Sequence, residues 1–207
     1  MQYKRVPISG DGLIVVFDMC SSSDILEELT LRGELHRYEQ LLESVKHHLA
    51  EAQKTALFDP YKFTGDGWIL LFPVDTDGAA LFQLLQKLCR FFRDEFESKI
   101  QRHLDSRPSV AGLTFGIEKG PLKAMTMYGQ REYVGRALNV ACRLQGSIKD
   151  KDAAPAYKAL VSNAAYNAYF KSEKGVKIWK VRRKLRNIRG GVDFHCTKIE
   201  FLNRRAT

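Results

Sequence analysis

Eight consecutive residues, Gly12-Leu13-Ile14-Val15-Val16-Phe17-Asp18-Met19, form a branched apolar run broken only by an aspartate near its end. A strand with one face in water alternates polar and apolar residues. A continuous run is what a strand covered on both faces requires. The chain must therefore build layers on both sides of a sheet, with this strand near its centre. At 207 residues it is long enough to do so, since a chain of that size buries roughly 70% of its unfolded surface.

The rest of the sequence supplies the covering layers. Residues 22–54 carry apolar positions near a 3.6-residue period, including Ile25, Leu29, Tyr38, Leu41, Val45 and Leu49, and Gly33 is placed to split them into two helices. Two apolar strands flank Gly65-Asp66-Gly67, a hairpin signal. Residues 77–104 read as a long amphipathic helix, 109–118 as a strand stopping at Lys119-Gly120-Pro121, and 122–128 as a shorter strand. A helix is expected over 135–149, a strand over 157–162, a helix over 163–170, and strands over 176–186 and 192–201. The order β-α-β-β-α-β followed by further α and β elements is the ferredoxin-like plan of an α+β domain with C-terminal additions. No linker divides it, so residues 1–207 are expected to form a single domain.

Composition narrows the function classes. With 44% hydrophobic and 28% charged residues the chain is neither disordered nor collagen-like. Cysteines 20, 89, 142 and 196 form no CxxC pair, and the five histidines are scattered, so no zinc spacing can be built. The N-terminal stretch has no apolar signal core, and the longest apolar runs are far too short to span a bilayer. A cytoplasmic protein is the expectation. A formal charge of +9 favours a polyanionic partner, whether nucleic acid, membrane surface or nucleoside triphosphate, without choosing among them.

Several residues are candidates for chemistry, each with a plainer alternative. Asp18 closes a central strand, and Asp66 sits at a hairpin tip, where an aspartate needs no function. In a β-α-ββ unit the end of the first strand and the hairpin tip can meet, however. Two carboxylates brought together repel, and a hard divalent ion resolves that. Met19-Cys20-Ser21-Ser22 leads into a helix whose first amides could hold phosphate or simply be capped by serine. Asn139 and Arg143 lie four apart on one helix face, either a solvated face or a phosphate site. Lys177, Lys180, Arg182, Arg183, Lys184, Arg186 and Arg189 crowd the tail with Trp179 and Ile188 between them. Such a run is a solvated face or a nucleic-acid surface. No RNP-like motif, helix-turn-helix or zinc finger accompanies it, which disfavours nucleic acid.

Four strings taken together resemble the catalytic domain of class III nucleotide cyclases. They are Val16-Phe17-Asp18-Met19, Lys62-Phe63-Thr64-Gly65-Asp66-Gly67, the stretch Gly116 to Leu122, and Val134 to Leu144 with its G-x-x-x-N-x-A-x-R-L pattern. They occur in family order over residues 10 to about 200. The resemblance implies that Asp18 and Asp66, with Met19, hold two Mg2+ or Mn2+ ions. It implies that Phe17, Cys20, Ser21 and Ser22 contact the triphosphate, that Asn139 orients the ribose, and that Arg143 stabilises charge at the attacked phosphate. Arg189 is the match to the family's late basic triphosphate ligand. It further implies a homodimer with shared active sites, the metal aspartates coming from one chain and the base readers and the Asn139/Arg143 helix from the other.

The base readers align with Lys62 and Glu132, which is neither the adenylate nor the guanylate pair of the family. The serine-rich loop after Asp18 also departs from the family pattern. The strings YKFTGDGWILLF and YVGRALNVACRLQG are similar to those of the stand-alone pyrimidine cyclases of the bacterial Pycsar antiphage system. That resemblance implies UTP as substrate and cyclic UMP as an infection signal. Chemically, Lys62 and Glu132 could also satisfy cytosine or adenine, and Tyr61, Phe63 and Tyr133 are available to narrow the pocket for one ring. A catalytically silent nucleotide-binding module is the alternative, and retention of Asp18, Asp66, Asn139 and Arg143 together argues against it.

Overall fold

A computed structural model describes residues 10–105, 110–148, 156–174, 177–188, 190 and 192–202. The apolar run is strand β1 (Gly10–Met19), and its side chains are buried from Leu13 to Phe17. Helices α1 (Ser22–Leu31) and α2 (His36–Ala52) follow, separated at Gly33, whose φ of 70° ends the first helix in a left-handed turn. Strands β2 (Asp59–Phe63) and β3 (Gly67–Pro73) form the expected hairpin. Helix α3 (Gly78–Lys99) is capped by Asp77, whose carboxylate accepts from the Ala80 N–H at 2.7 Å.

Strand β4 (Leu113–Met127) corrects the sequence reading: the two strands expected over 109–118 and 122–128 are one strand of 15 residues. It continues through Pro121 because its pairing with β6 covers only Thr114–Ile117, so by Pro121 one side of the strand carries no β6 ladder. Strand β5 (Gln130–Val134), which the sequence reading missed, folds back on the far half of β4 around Tyr128 and Gly129, both at positive φ. Helix α4 (Arg136–Gly146), strand β6 (Lys158–Ser162), a helical turn over Asn163–Ala165 and Tyr166–Phe170, and strands β7 (Lys177–Lys184) and β8 (Asp193–Glu200) complete the described chain.

The sheet order is β2-β3-β1-β4-β6-β8-β7, with β5 attached to β4. Each of its first four strands runs antiparallel to its neighbour, which is the ferredoxin-like arrangement expected from the element order. The side chains of β1 divide between two cores. Leu13, Val15, Phe17 and Met19 meet α1, α2 and α3 on one face. Ile14 and Val16 meet Tyr133, Ala137 and Ala141 of β5 and α4 on the other. This two-sided burial explains why the run does not alternate. Among the described residues no helix is long and apolar enough to cross a membrane.

Candidate active site

Strand β1 ends where the β2–β3 turn begins. Asp18 is in register with Gly67, and the Met19 N–H donates to the Asp66 carbonyl at 3.2 Å. Gly67 makes the approach possible, since a Cβ there would stand 1.9 Å from the Phe17 carbonyl oxygen. Beneath this junction Phe17 is 1% exposed and packs between Trp68 at 5.6 Å and Phe115 at 5.8 Å, ring centre to ring centre. The expected meeting of Asp18 and Asp66 therefore occurs on a rigid aromatic platform, and both carboxylates remain partly accessible.

Each carboxylate is also held by a neighbour. The Ser22 hydroxyl donates to Asp66 Oδ2, and Gln145 Nε2 donates to Asp18 Oδ2 at 3.3 Å. Tyr38 of α2 is 4% exposed, and its hydroxyl has no hydrogen-bond partner among the described residues. Burial pushes this phenol above its ordinary pKa, and the charges of Asp66 and Asp18 add to the effect, so it stays neutral. An orphaned buried hydroxyl within electrostatic reach of two carboxylates fits a hydrated hard cation, whose bound water would give the hydroxyl a partner. The donor set is all oxygen and suits Mg2+ or Mn2+ rather than zinc. No group of three or more His, Cys, Asp or Glu residues placed to hold a metal ion occurs among the described residues, so the site would rely on phosphate and water for its remaining ligands. Tyr38→Phe should accordingly stabilise the metal-free protein, by about 1 kcal/mol, because it deletes an unsatisfied buried group. Denaturant unfolding in chelator checks this.

The other candidates fall into four groups. Phe17 and Cys20 are buried, and the Cys20 N–H donates to the Gly112 carbonyl at 2.9 Å, which leaves Ser21 and Ser22 as the accessible part of the proposed phosphate loop. Ser21 stands at the N-cap of α1, but its side chain makes no capping hydrogen bond. Its hydroxyl donates to the Val110 carbonyl at 3.0 Å, and its φ of 54° turns the chain into the helix. Asn139 and Arg143 are exposed on the outer face of α4, where among the described residues no hydrogen bond or ion pair engages either side chain. Of the basic tail, Arg183 ties the sheet to the end of α4 by donating to the Ser147 carbonyl at 3.2 Å, and Lys177, Lys180, Arg182 and Lys184 line the exposed edge strand β7. Arg189 lies outside the described residues.

Lys62 and Glu132, 70 residues apart, do meet: Lys62 Nζ stands 3.4 Å from Glu132 Oε2. The folding of β5 over the sheet brings them together. The Tyr61 hydroxyl donates to Glu132 Oε2 and accepts from the Tyr133 N–H at 3.1 Å. The Tyr61 and Tyr133 rings meet edge to face at 5.3 Å within the second core. These two tyrosines thus support the Glu132 carboxylate from below. Phe63, half exposed against Trp68, is the ring left on the surface of β2. Sequence reading missed Tyr38, Thr114 and Gln145. The one available signal was Gln145 itself, a polar residue among the apolar positions of α4.

No protein-family model matches the sequence, and no curated protein matches it. Solved structures do match. The adenylyl cyclase CyaB from P. aeruginosa superposes with a TM-score of 0.67 at 13% identity, over 95% of this chain and 96% of that one. An adenylate cyclase from Trypanosoma brucei in its monomeric state gives 0.64 at 14% identity, over 96% and 93%. The guanylate cyclase domain of RhGC from Catenaria anguillulae, in complex with GTP, gives 0.57 at 11% identity, over 92% and 96%. Against a bacterial light-regulated adenylyl cyclase the chain spans about half of the longer protein, 51%. The fold is that of the class III cyclase catalytic domain.

Proposed function

We propose that the protein is a metal-dependent nucleotide cyclase, acting as one catalytic domain, that converts UTP to 3′,5′-cyclic UMP and pyrophosphate. The observation that carries the reading is the junction of Asp18 and Asp66, whose charges reach the buried hydroxyl of Tyr38, a group with no hydrogen-bond partner among the described residues. Asn139 and Arg143 on the open face of α4 and the Lys62–Glu132 pair support it.

In the reaction the ribose 3′-oxygen attacks the α-phosphorus, its proton passes to water, and the bond from the α-phosphorus to the bridging oxygen breaks to release pyrophosphate. Two divalent ions, held by Asp18 and Asp66 with the Met19 carbonyl, would supply Lewis acidity for the hydroxyl and charge neutralisation for the polyphosphate. Asn139 orients the ribose. Arg143 offers a planar fork of donors to the developing charge on the α-phosphate. Ser21 and Ser22 contact the triphosphate, and Arg189 binds its far end. The substrate is shared across a homodimer, one chain giving the aspartates and the other α4 and the base readers. The proposed reaction runs in the cytoplasm, as part of an antiphage signal.

For the base, Lys62 donates to a uracil carbonyl and Glu132 accepts from N3–H, with Tyr61 holding the acceptor in place. Deleting one reader leaves the base edge unpaired, a cost of roughly 1–3 kcal/mol. Glu132→Ala should lower UTP turnover about ten-fold while leaving Mn2+ binding unchanged, which steady-state kinetics and metal titration measure side by side. The decisive experiment is incubation with each of the four NTPs and Mn2+, with products resolved by mass. Faster cyclisation of ATP or CTP than of UTP would overturn the base assignment alone. No cyclic product from any NTP would overturn the cyclase reading.

A further inference from the structure

We infer that Gln145 is a positioning residue that sets the orientation of the Asp18 carboxylate, delivered there by the contact of α4 with β4 at Gly116. The inference rests on the cyclase reading and deepens its metal site.

Gln145 is only 8% exposed, on the inner face of a helix whose other inward residues are Ala137, Val140, Ala141 and Leu144. An amide in such a place must find partners, because an unmet buried donor costs more than a typical hydrogen bond contributes. Gln145 Nε2 reaches two acceptors, Asp18 Oδ2 at 3.3 Å and Thr114 Oγ1 at 3.1 Å. Thr114 stands opposite Asp18 in the β1–β4 register, and its hydroxyl lies 3.5 Å from the Asp18 carbonyl. Amide, hydroxyl and aspartate thus close a ring around the end of β1.

Backbone geometry makes the reach possible. Gly116 lies two residues along β4 from Thr114, and a Cβ there would stand 2.1 Å from the Ala141 carbonyl oxygen and 2.4 Å from the Gln145 nitrogen. The helix therefore sits directly on the strand, and any side chain at 116 would lift it. A carboxylate fixed from one side by an amide enters metal binding already oriented, as partners of metal ligands commonly arrange. The same helix presents Asn139 and Arg143 on its opposite side, so its seating on β4 sets two parts of the catalytic machinery at once.

The test is a Mn2+ titration of the nucleotide-free full chain, with free Mn2+ read by its EPR signal, on wild type, Gln145→Leu, Gln145→Asn, Gly116→Ala and Asp18→Ala. Gln145→Leu keeps the volume and removes the donors. It should weaken Mn2+ binding about ten-fold and shift the Mn2+ dependence of turnover to higher concentration, with activity recovering toward wild type at saturating metal. Gly116→Ala should shift both in the same direction. A role confined to packing would lower the melting temperature and leave Mn2+ affinity alone, so wild-type affinity in folded Gln145→Leu overturns the inference. Should that variant not fold, Gln145→Asn, which keeps the amide one methylene short, is read by the same criterion. If Asp18→Ala binds Mn2+ as wild type does, the metal reading itself fails. If Asp18→Ala loses binding and the Gln145 variants keep it, only the positioning role fails.

Discussion

Asp18→Ala and Asp66→Ala should each reduce cyclisation about a thousand-fold or more while leaving the protein folded. The size of the loss follows from the proposed role of the carboxylates, since a metal acting as Lewis acid and template supplies several kcal/mol to the transition state. Retention of fold follows from their positions. Both side chains are partly accessible at the end of β1 and the tip of the β2–β3 turn, whereas the packing load falls on Phe17, Trp68 and Phe115 next to them. In Asp66→Ala the Ser22 hydroxyl loses its acceptor at a half-open site where water can replace it. In Asp18→Ala the Gln145 amide keeps Thr114. Melting curves within a few degrees of wild type, together with loss of product by mass analysis, are the expected pair of results. Full activity in either variant at unchanged metal dependence would sink the metal assignment.

How much of this arrangement a single sequence reveals depends on how local its cause is. The run of β1 and the turn at Gly65-Asp66-Gly67 announce themselves, and their topology alone predicts that Asp18 and Asp66 meet. Gly33 marks the break between α1 and α2 because only its own backbone angle is at stake. Lys119-Gly120-Pro121 misleads, since it reads as a strand end until the short reach of β6 along β4 is known. Gln-Arg-Glu-Tyr-Val, the whole of β5, has no apolar rhythm, and its turn begins with Tyr128 at a φ of 50°, an unusual choice. The supporting residues are hidden for a different reason. Gln145 reaches Asp18 across 127 positions, and it does so because Gly116 admits the helix backbone. Tyr38 looks like one more apolar helix position, and only the fold brings its hydroxyl within electrostatic reach of both aspartates.

The same geometry bears on whether one chain can hold a whole site. Gln145 points from α4 to the Asp18 of its own chain. Arg143, two residues earlier, is rotated by about 200° around the helix axis at 3.6 residues per turn, and it is exposed. Arg143 therefore faces away from Asp18 and Asp66 of its own chain, so a joint site requires another aspartate pair brought to the outer face of α4. A head-to-tail homodimer meets this requirement: each α4 serves the site whose aspartates belong to the partner, and two equivalent sites result. Asp18→Ala and Arg143→Ala chains should then each be inactive by themselves. Mixed in equal amounts and allowed to exchange, they form mixed dimers in about half of all dimers, each carrying one intact site of two. Activity should return to roughly a quarter of the wild-type value, rising from near zero as exchange proceeds. Native mass spectrometry with differently tagged chains measures the mixed dimer in the same samples. If mixed dimers accumulate and no activity returns, Asp18 and Arg143 must act within one chain, and α4 would have to turn its outer face inward to bring them together.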